Sequence, residues 1–319
     1  MTYEFQSHFA DRIKNLLEYR SSMGRSIQFY KSELANFDRF CLQEFPGEFA
    51  LTRELAFAWC NNARGSRANR AAIIRGFGRY LTLMMEEEAY IMPTSFFPKQ
   101  KAKLPHILSE VELKRFFDAS DRFDNNAKSP ILEYTVPTIF RLMFSTGLRP
   151  NEARLLRRQN FNFSDNTIYV ADTKNGRDRR LAVSAEMMAM AERYDRIAEM
   201  QVPGRVYFFQ SPTGEAYTNS WLSKIFDKCW ARSGNERPPR HCSPYSLRHS
   251  YATHTLMRWI EEGKDIDAWI PYLSAYLGHS EFRSTFYYIQ LLPERLARMD
   301  FTDPLVIPHL EIGYEEEIE

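Results

Sequence analysis

Two arginines, a lysine, a histidine and a tyrosine stand in a fixed order in the second half of this chain. Together they make a metal-free set for phosphoryl transfer. Arg149 lies in Thr146-Gly147-Leu148-Arg149-Pro150-Asn151-Glu152, Lys174 in the basic turn Thr173-Lys174-Asn175-Gly176-Arg177, and Arg248 in Tyr245-Ser246-Leu247-Arg248-His249. His279 follows in Leu277-Gly278-His279-Ser280, and Tyr288 lies nine residues after it. Planar guanidinium groups can grip two non-bridging phosphate oxygens. A tyrosine hydroxyl can attack phosphorus and hold it covalently, and a lysine can protonate the oxygen that leaves.

The residues around this set refine it. Gly147 permits a tight turn and Pro150 suits the first position of a helix, so Arg149 falls at a junction of two helices, where free backbone donors favour phosphate. Glu152 is placed to orient an arginine or a histidine. Arg177, Arg179 and Arg180 compete with Lys174 for phosphate contact, and Tyr287 competes with Tyr288. Successive helical residues point about 100° apart, so one of the two tyrosines faces the phosphate. His249 and His254 read as packed helix residues. They are five apart, and Cys229, His241 and Cys242 lack ligand spacing, so no metal is expected. No Gly-rich loop ending in Lys-Ser or Lys-Thr is present, so no nucleotide cofactor is expected either.

Helical periodicity supplies most of the frame. Residues 26–45, 52–59 and 66–88 read as helices, with Thr52 as an N-cap and Pro46-Gly47 as a stop. Residues 93–105, with Pro93, Pro98 and Pro105 flanking Lys99, Lys101 and Lys103, read as a linker. Ser109 and Glu112 form a capping box that opens a second region. Helices are predicted over 109–119, 130–146 and 150–157, strands over 166–170 and 180–183 joined by a hairpin turn at Asn175-Gly176, and a third strand over 206–209. From residue 220 onward the pattern is mostly helical.

Composition bounds the rest. The chain has 319 residues, 44% of them apolar, which suits two domains with real cores. Its net charge of +1 hides an uneven distribution. Arg64, Arg67, Arg70, Arg75 and Arg79 fall in a stretch without an acid, and the end from Glu311 to Glu319 is acidic. The four scattered cysteines suit a reducing cytoplasm, and neither a signal pattern nor a membrane-length apolar run is seen.

In order and spacing, the Thr-Gly-Leu-Arg, Leu-Arg-His and Leu-Gly-His-Ser boxes resemble the tyrosine recombinase family, the phage integrases and Xer-type enzymes, from about Leu104 to Leu292. The resemblance implies a mainly α fold: a helical, SAM-like core-binding domain (1–92), the linker (93–105), a mixed α+β catalytic domain with a small antiparallel sheet (106–300), and an acidic tail (301–319). The two domains would form a C-shaped clamp on double-stranded DNA, working as a homotetramer on two sites, with DNA-bending proteins as accessory partners. The activity implied is site-specific DNA recombination through a 3′-phosphotyrosine, for integration, excision or transposition of a mobile element. A type IB topoisomerase-like nicking enzyme and a DNA-binding regulator without cleavage are the alternatives. Carried onto this chain, the catalytic residues are Arg149, Lys174, Tyr245, Arg248, His279 and Tyr288, supported by Glu152, with Arg64, Arg67, Arg70 and Arg177 on DNA. Tyr245 departs from the pattern, because the family usually has a histidine there. A tyrosine can donate a hydrogen bond to phosphate but is a poor base at neutral pH, which leaves His279 or water as acceptor.

Overall fold

Apolar periodicity and polar caps account for most of the observed elements. The computed structural model describes residues 3–25, 27–63, 66–85, 87–97, 104–126, 129–171, 178–238 and 241–279, together with Thr285, Tyr288 and Ile289. The chain divides into two compact units between residues 102 and 103.

Among the described residues the first unit holds four helices, α1 (Ala10–Ser22), α2 (Gln28–Glu44), α3 (Arg53–Asn61) and α4 (Arg67–Met84). Thr52 and Ser66 cap α3 and α4 with their hydroxyls, each accepting a backbone N–H three residues on. Phe37, Trp59 and Phe77 are fully buried and meet edge to face, with ring centroids 5.3 Å (Phe37–Trp59) and 6.0 Å (Phe37–Phe77) apart. Phe96 and Phe97, in the stretch predicted as linker, pack on Phe57. Arg75 donates to the carbonyls of Met92 and Pro93 and so pins that stretch to α4.

The second unit opens at α5 (Glu110–Asp121), where the Ser109–Glu112 capping box forms as expected. It continues with α6 (Leu132–Thr146), α7 (Pro150–Leu155), strands β1 (Phe161–Asn162), β2 (Thr167–Val170) and β3 (Arg179–Ala182), α8 (Ala185–Gln201), α9 (Asn219–Arg232), α10 (Pro244–Glu261) and α11 (Ile266–Leu277). The fold is mainly α with a small three-stranded antiparallel sheet, as predicted. Its strand order is β1-β2-β3, with Phe161 opposite Ile168 and Ile168 opposite Leu181. Ile168, Val170 and Leu181 face the core. The third strand is β1 and not 206–209. The latter stretch runs beside residues 156–158, Phe208 N–H donating to Leu156, and Phe208 stacks on Phe161 at 3.7 Å. A two-residue strand carries no alternation for periodicity to detect. No helix among the described residues is long and apolar enough to cross a membrane.

Candidate active site

The site is assembled where α6 and α11 end. Both helices stop on a glycine in the left-handed region, Gly147 at φ 62° and Gly278 at φ 69°. Helix C-termini leave carbonyls without intrahelical donors and carry partial negative charge. Two arginines answer that need. Arg248, on α10 and fully buried, donates from Nη1 to the Gly147 carbonyl (2.7 Å) and from Nη2 to the Leu277 carbonyl (2.8 Å). Arg149, the residue before α7, donates from Nη2 to the Gly278 carbonyl (3.1 Å). The guanidinium groups thus cap both helices, and their burial is compensated by helix ends as well as by charge.

Glu152 is the hub between them. Its carboxylate accepts the Arg149 backbone N–H (2.9 Å), as a first-turn acid should, and Arg149 Nη1 (2.8 Å). Arg179, at the start of β3, adds a two-pronged bond from Nη1 and Nη2 at 2.9 and 2.8 Å. Burial opposes the charge on Glu152, yet the Arg179 bonds and the charges of Arg248, Arg179 and Arg149 outweigh it and hold the carboxyl down at about 2. Three guanidinium groups around one carboxylate leave an excess of positive charge suited to a phosphodiester.

His279 completes the group. Its Nε2 lies 2.9 Å from Arg248 Nη2 and its Nδ1 2.8 Å from the Thr285 hydroxyl. Burial first, then the charges of Arg248, Arg149 and Arg179, push its pKa down to about 2. Both ring nitrogens are thus engaged and the ring is held neutral. Tyr288 is buried, its ring stacked on His279 (5.8 Å between centroids, 19°) and tilted against His249 (5.5 Å, 55°). Tyr245, half-buried one turn before His249, meets that imidazole at 5.1 Å.

The structure therefore brings Arg149, Glu152, Arg248, His279 and Tyr288 into one neighbourhood, with Tyr245 joined to it through His249. Lys174, Arg177, Tyr287 and Arg64 lie outside the described residues. One sequence expectation is corrected. Arg179 is no rival for phosphate, since its donors go to Glu152 and, through Nε, to the Tyr276 carbonyl (2.8 Å). His249 is packed in its helix like His254, which sits against Phe144, and its ring meets those of both Tyr245 and Tyr288. Burial and Arg248 keep it neutral, its pKa pushed down to about 3. Its i, i+4 spacing from Tyr245 was the available signal. In the first unit, Arg67 is exposed, whereas Arg70 lies over Trp59 and bonds Glu33 and the Trp59 carbonyl.

Known proteins give the same picture. The model of the phage integrase family matches residues 106–295. A candidate integrase/recombinase of Sinorhizobium fredii, y4rE, is 27% identical over 290 residues, covering 89% of this chain and 92% of its own length. Tyrosine recombinase XerC of Bradyrhizobium diazoefficiens is 26% identical, covering 71% of this chain and 67% of its own. Among solved structures, the Tn1549 transposon integrase in complex with transposon right end DNA has a similar fold, at a TM-score of 0.64 and 15% identity, with 92% of this chain and 98% of that one covered. The XerH site-specific recombinase bound to palindromic difH substrate gives a TM-score of 0.61 at 19% identity, with 89% and 82% covered. With more than half of its length matched by the family model, and the arginine, histidine and tyrosine boxes converging on one site, this chain belongs to the phage integrase family, the tyrosine recombinases.

Proposed function

We infer that this site-specific recombinase cuts and rejoins DNA strands through Tyr288. The observation that carries the assignment is the convergence of Arg248, Arg149, His279 and Tyr288 from segments far apart in sequence. Arg149 and Arg248 grip the scissile phosphate, and their charge offsets what develops on its oxygens in the transition state. The Tyr288 oxygen forms a bond to phosphorus as the bond to the 5′-oxygen breaks. Lys174, between β2 and β3 in sequence, supplies the proton to the departing 5′-oxygen, and the phenol's proton passes to water. Rejoining to another 5′-hydroxyl reverses these steps. Tyr245 donates its hydroxyl to the phosphate in place of the usual histidine.

The substrates we propose are double-stranded sites of a mobile element, with four protomers joining two sites in the cytoplasm. Arg67, with Arg64 and Arg177, contacts phosphates, so affinity falls steeply with salt.

The test is covalent. The protein is incubated with labelled, nicked duplexes from the DNA flanking its own gene and run on a denaturing gel, with Tyr288→Phe and Tyr287→Phe in parallel. An adduct that disappears only with Tyr288→Phe supports the assignment. A bound duplex that never yields an adduct overturns it.

A further inference from the structure

Arg179 uses up half of the acceptor capacity of Glu152. An ionised carboxylate offers about four lone-pair sites. Oε1 accepts from Arg149 Nη1 and Arg179 Nη1, and Oε2 from the Arg149 backbone N–H and Arg179 Nη2, all at 2.8–2.9 Å. The third guanidinium, Arg248, stands 4.0 Å from Oε2 through its Nη1, beyond hydrogen-bond reach. Arg179 is itself held in place. Its Nε donates to the Tyr276 carbonyl at 2.8 Å. It also lies so close to Gly278 that a Cβ there would come within 2.8 Å of its Nη1.

A carboxylate and a phosphate compete for the same planar donors. If two lone pairs on Glu152 were opened, Arg248 would be the guanidinium waiting beside them. A movement of about 1 Å would close a charge-assisted bond. That bond would draw Arg248 toward a protein carboxylate and away from DNA.

We propose that Arg179 is a positioning residue for phosphate recognition: by occupying both oxygens of Glu152 it keeps that carboxylate from closing on Arg248, so that Arg248 stays placed for the scissile phosphate. The proposal rests on the recombinase reading above. A lysine at 179 would keep the charge and lose the fork.

The experiment measures single-turnover adduct formation on the nicked duplex, duplex affinity by titration, and the thermal melt, using the full chain. Arg179→Met is expected to slow adduct formation by about 100-fold, the size of effect a misplacement of about 1 Å produces, with affinity within about threefold because the other phosphate contacts remain. Arg179→Lys falls between it and wild type. Adding Glu152→Gln to Arg179→Met removes the competing charge and is expected to recover at least about fivefold of the rate, since an amide binds guanidinium more weakly than a carboxylate does. A purely structural role for Arg179 gives the opposite result, because the second change removes further buried bonds. Should Arg179→Met fail to fold, the same comparison is made with Arg179→Lys. Adduct formation within twofold of wild type, or no recovery on adding Glu152→Gln, overturns the proposal. A wild-type protein that binds the duplex and forms no adduct overturns the recombinase reading first, and this proposal with it.

Discussion

Arg248 Nη2 lies 2.9 Å from His279 Nε2, and that contact fixes the state of the imidazole. A guanidinium donates and never accepts, so Nε2 presents its lone pair, and the ring proton sits on Nδ1, donated to Thr285 Oγ1. For His279 to donate from Nε2 to a phosphate, its proton must change nitrogen and Arg248 must turn that N–H elsewhere. DNA binding and the histidine tautomer are therefore linked in this site.

The same arrangement sets the acid limit of stability. His279 and His249 have pKa values pushed down to about 2 and about 3, below the ordinary histidine value, so the unfolded chain takes up protons that the folded chain refuses. Their contribution is fully present above about pH 6.5 and is lost as pH falls below it, by at most about 1.4 kcal/mol per pH unit for each group. Glu152, held at about 2, adds a loss of the same sign below its ordinary value of about 4.5. Melting temperature between pH 7.5 and pH 4.5 is expected to fall from about pH 6.5 downward, and His249→Gln should flatten the slope.

Arg248→Ala removes the cation that caps both α6 and α11 and leaves the Gly147 and Leu277 carbonyls buried without it. The expected cost is about 3 kcal/mol or more, read by urea denaturation. Adduct formation should drop by at least about 100-fold, and Arg248→Lys should recover more stability than rate because a single ammonium cannot bridge the carbonyls and the phosphate together.

The two site glycines should respond differently to alanine. At Gly147 (φ 62°) a Cβ would come 2.6 Å from the half-buried Tyr251 ring and 2.7 Å from the fully buried Leu277, so the variant is expected to lose about 2 kcal/mol or more of stability. At Gly278 (φ 69°) the clash is with the Arg179 guanidinium, so Gly278→Ala should push Arg179 off Glu152 and lower adduct formation as well as the melting temperature.

Tyr245→Phe deletes the hydroxyl proposed to bond phosphate and keeps the ring against His249. Single-turnover cleavage is expected to fall about tenfold or more with stability little changed. Tyr245→His should cleave at least as fast as Tyr245→Phe, and a slower Tyr245→His would show that the six-membered ring, and not a donor, is what the position requires.

Arg67 and Arg70 separate a surface contact from a structural one. Arg67→Gln is expected to weaken duplex binding and to lower the salt slope by about 1. Arg70→Gln releases Glu33 and the Trp59 carbonyl, so its main effect should be on the melting of the helical unit.

The sequence by itself determined the residue types, their order and the local devices that frame them. Thr52, Ser66 and the Ser109–Glu112 pair cap helices because a side-chain oxygen within three residues is enough. Gly147 and Gly278 end helices because little else adopts a positive φ there. Tertiary structure decided the partners. Arg248 meets Gly147 across 101 residues, Arg149 meets Gly278 across 129, and Arg179 meets Tyr276 across 97. Periodicity identifies which face of a helix is apolar, but it cannot say which buried charge that face will bring beside another. So Arg179 looked in the sequence like one more basic residue in a turn, and His249 like one more packed histidine. Only the packing of α6, α10, α11 and β3 made the first the partner of Glu152 and set the second against both Tyr245 and Tyr288.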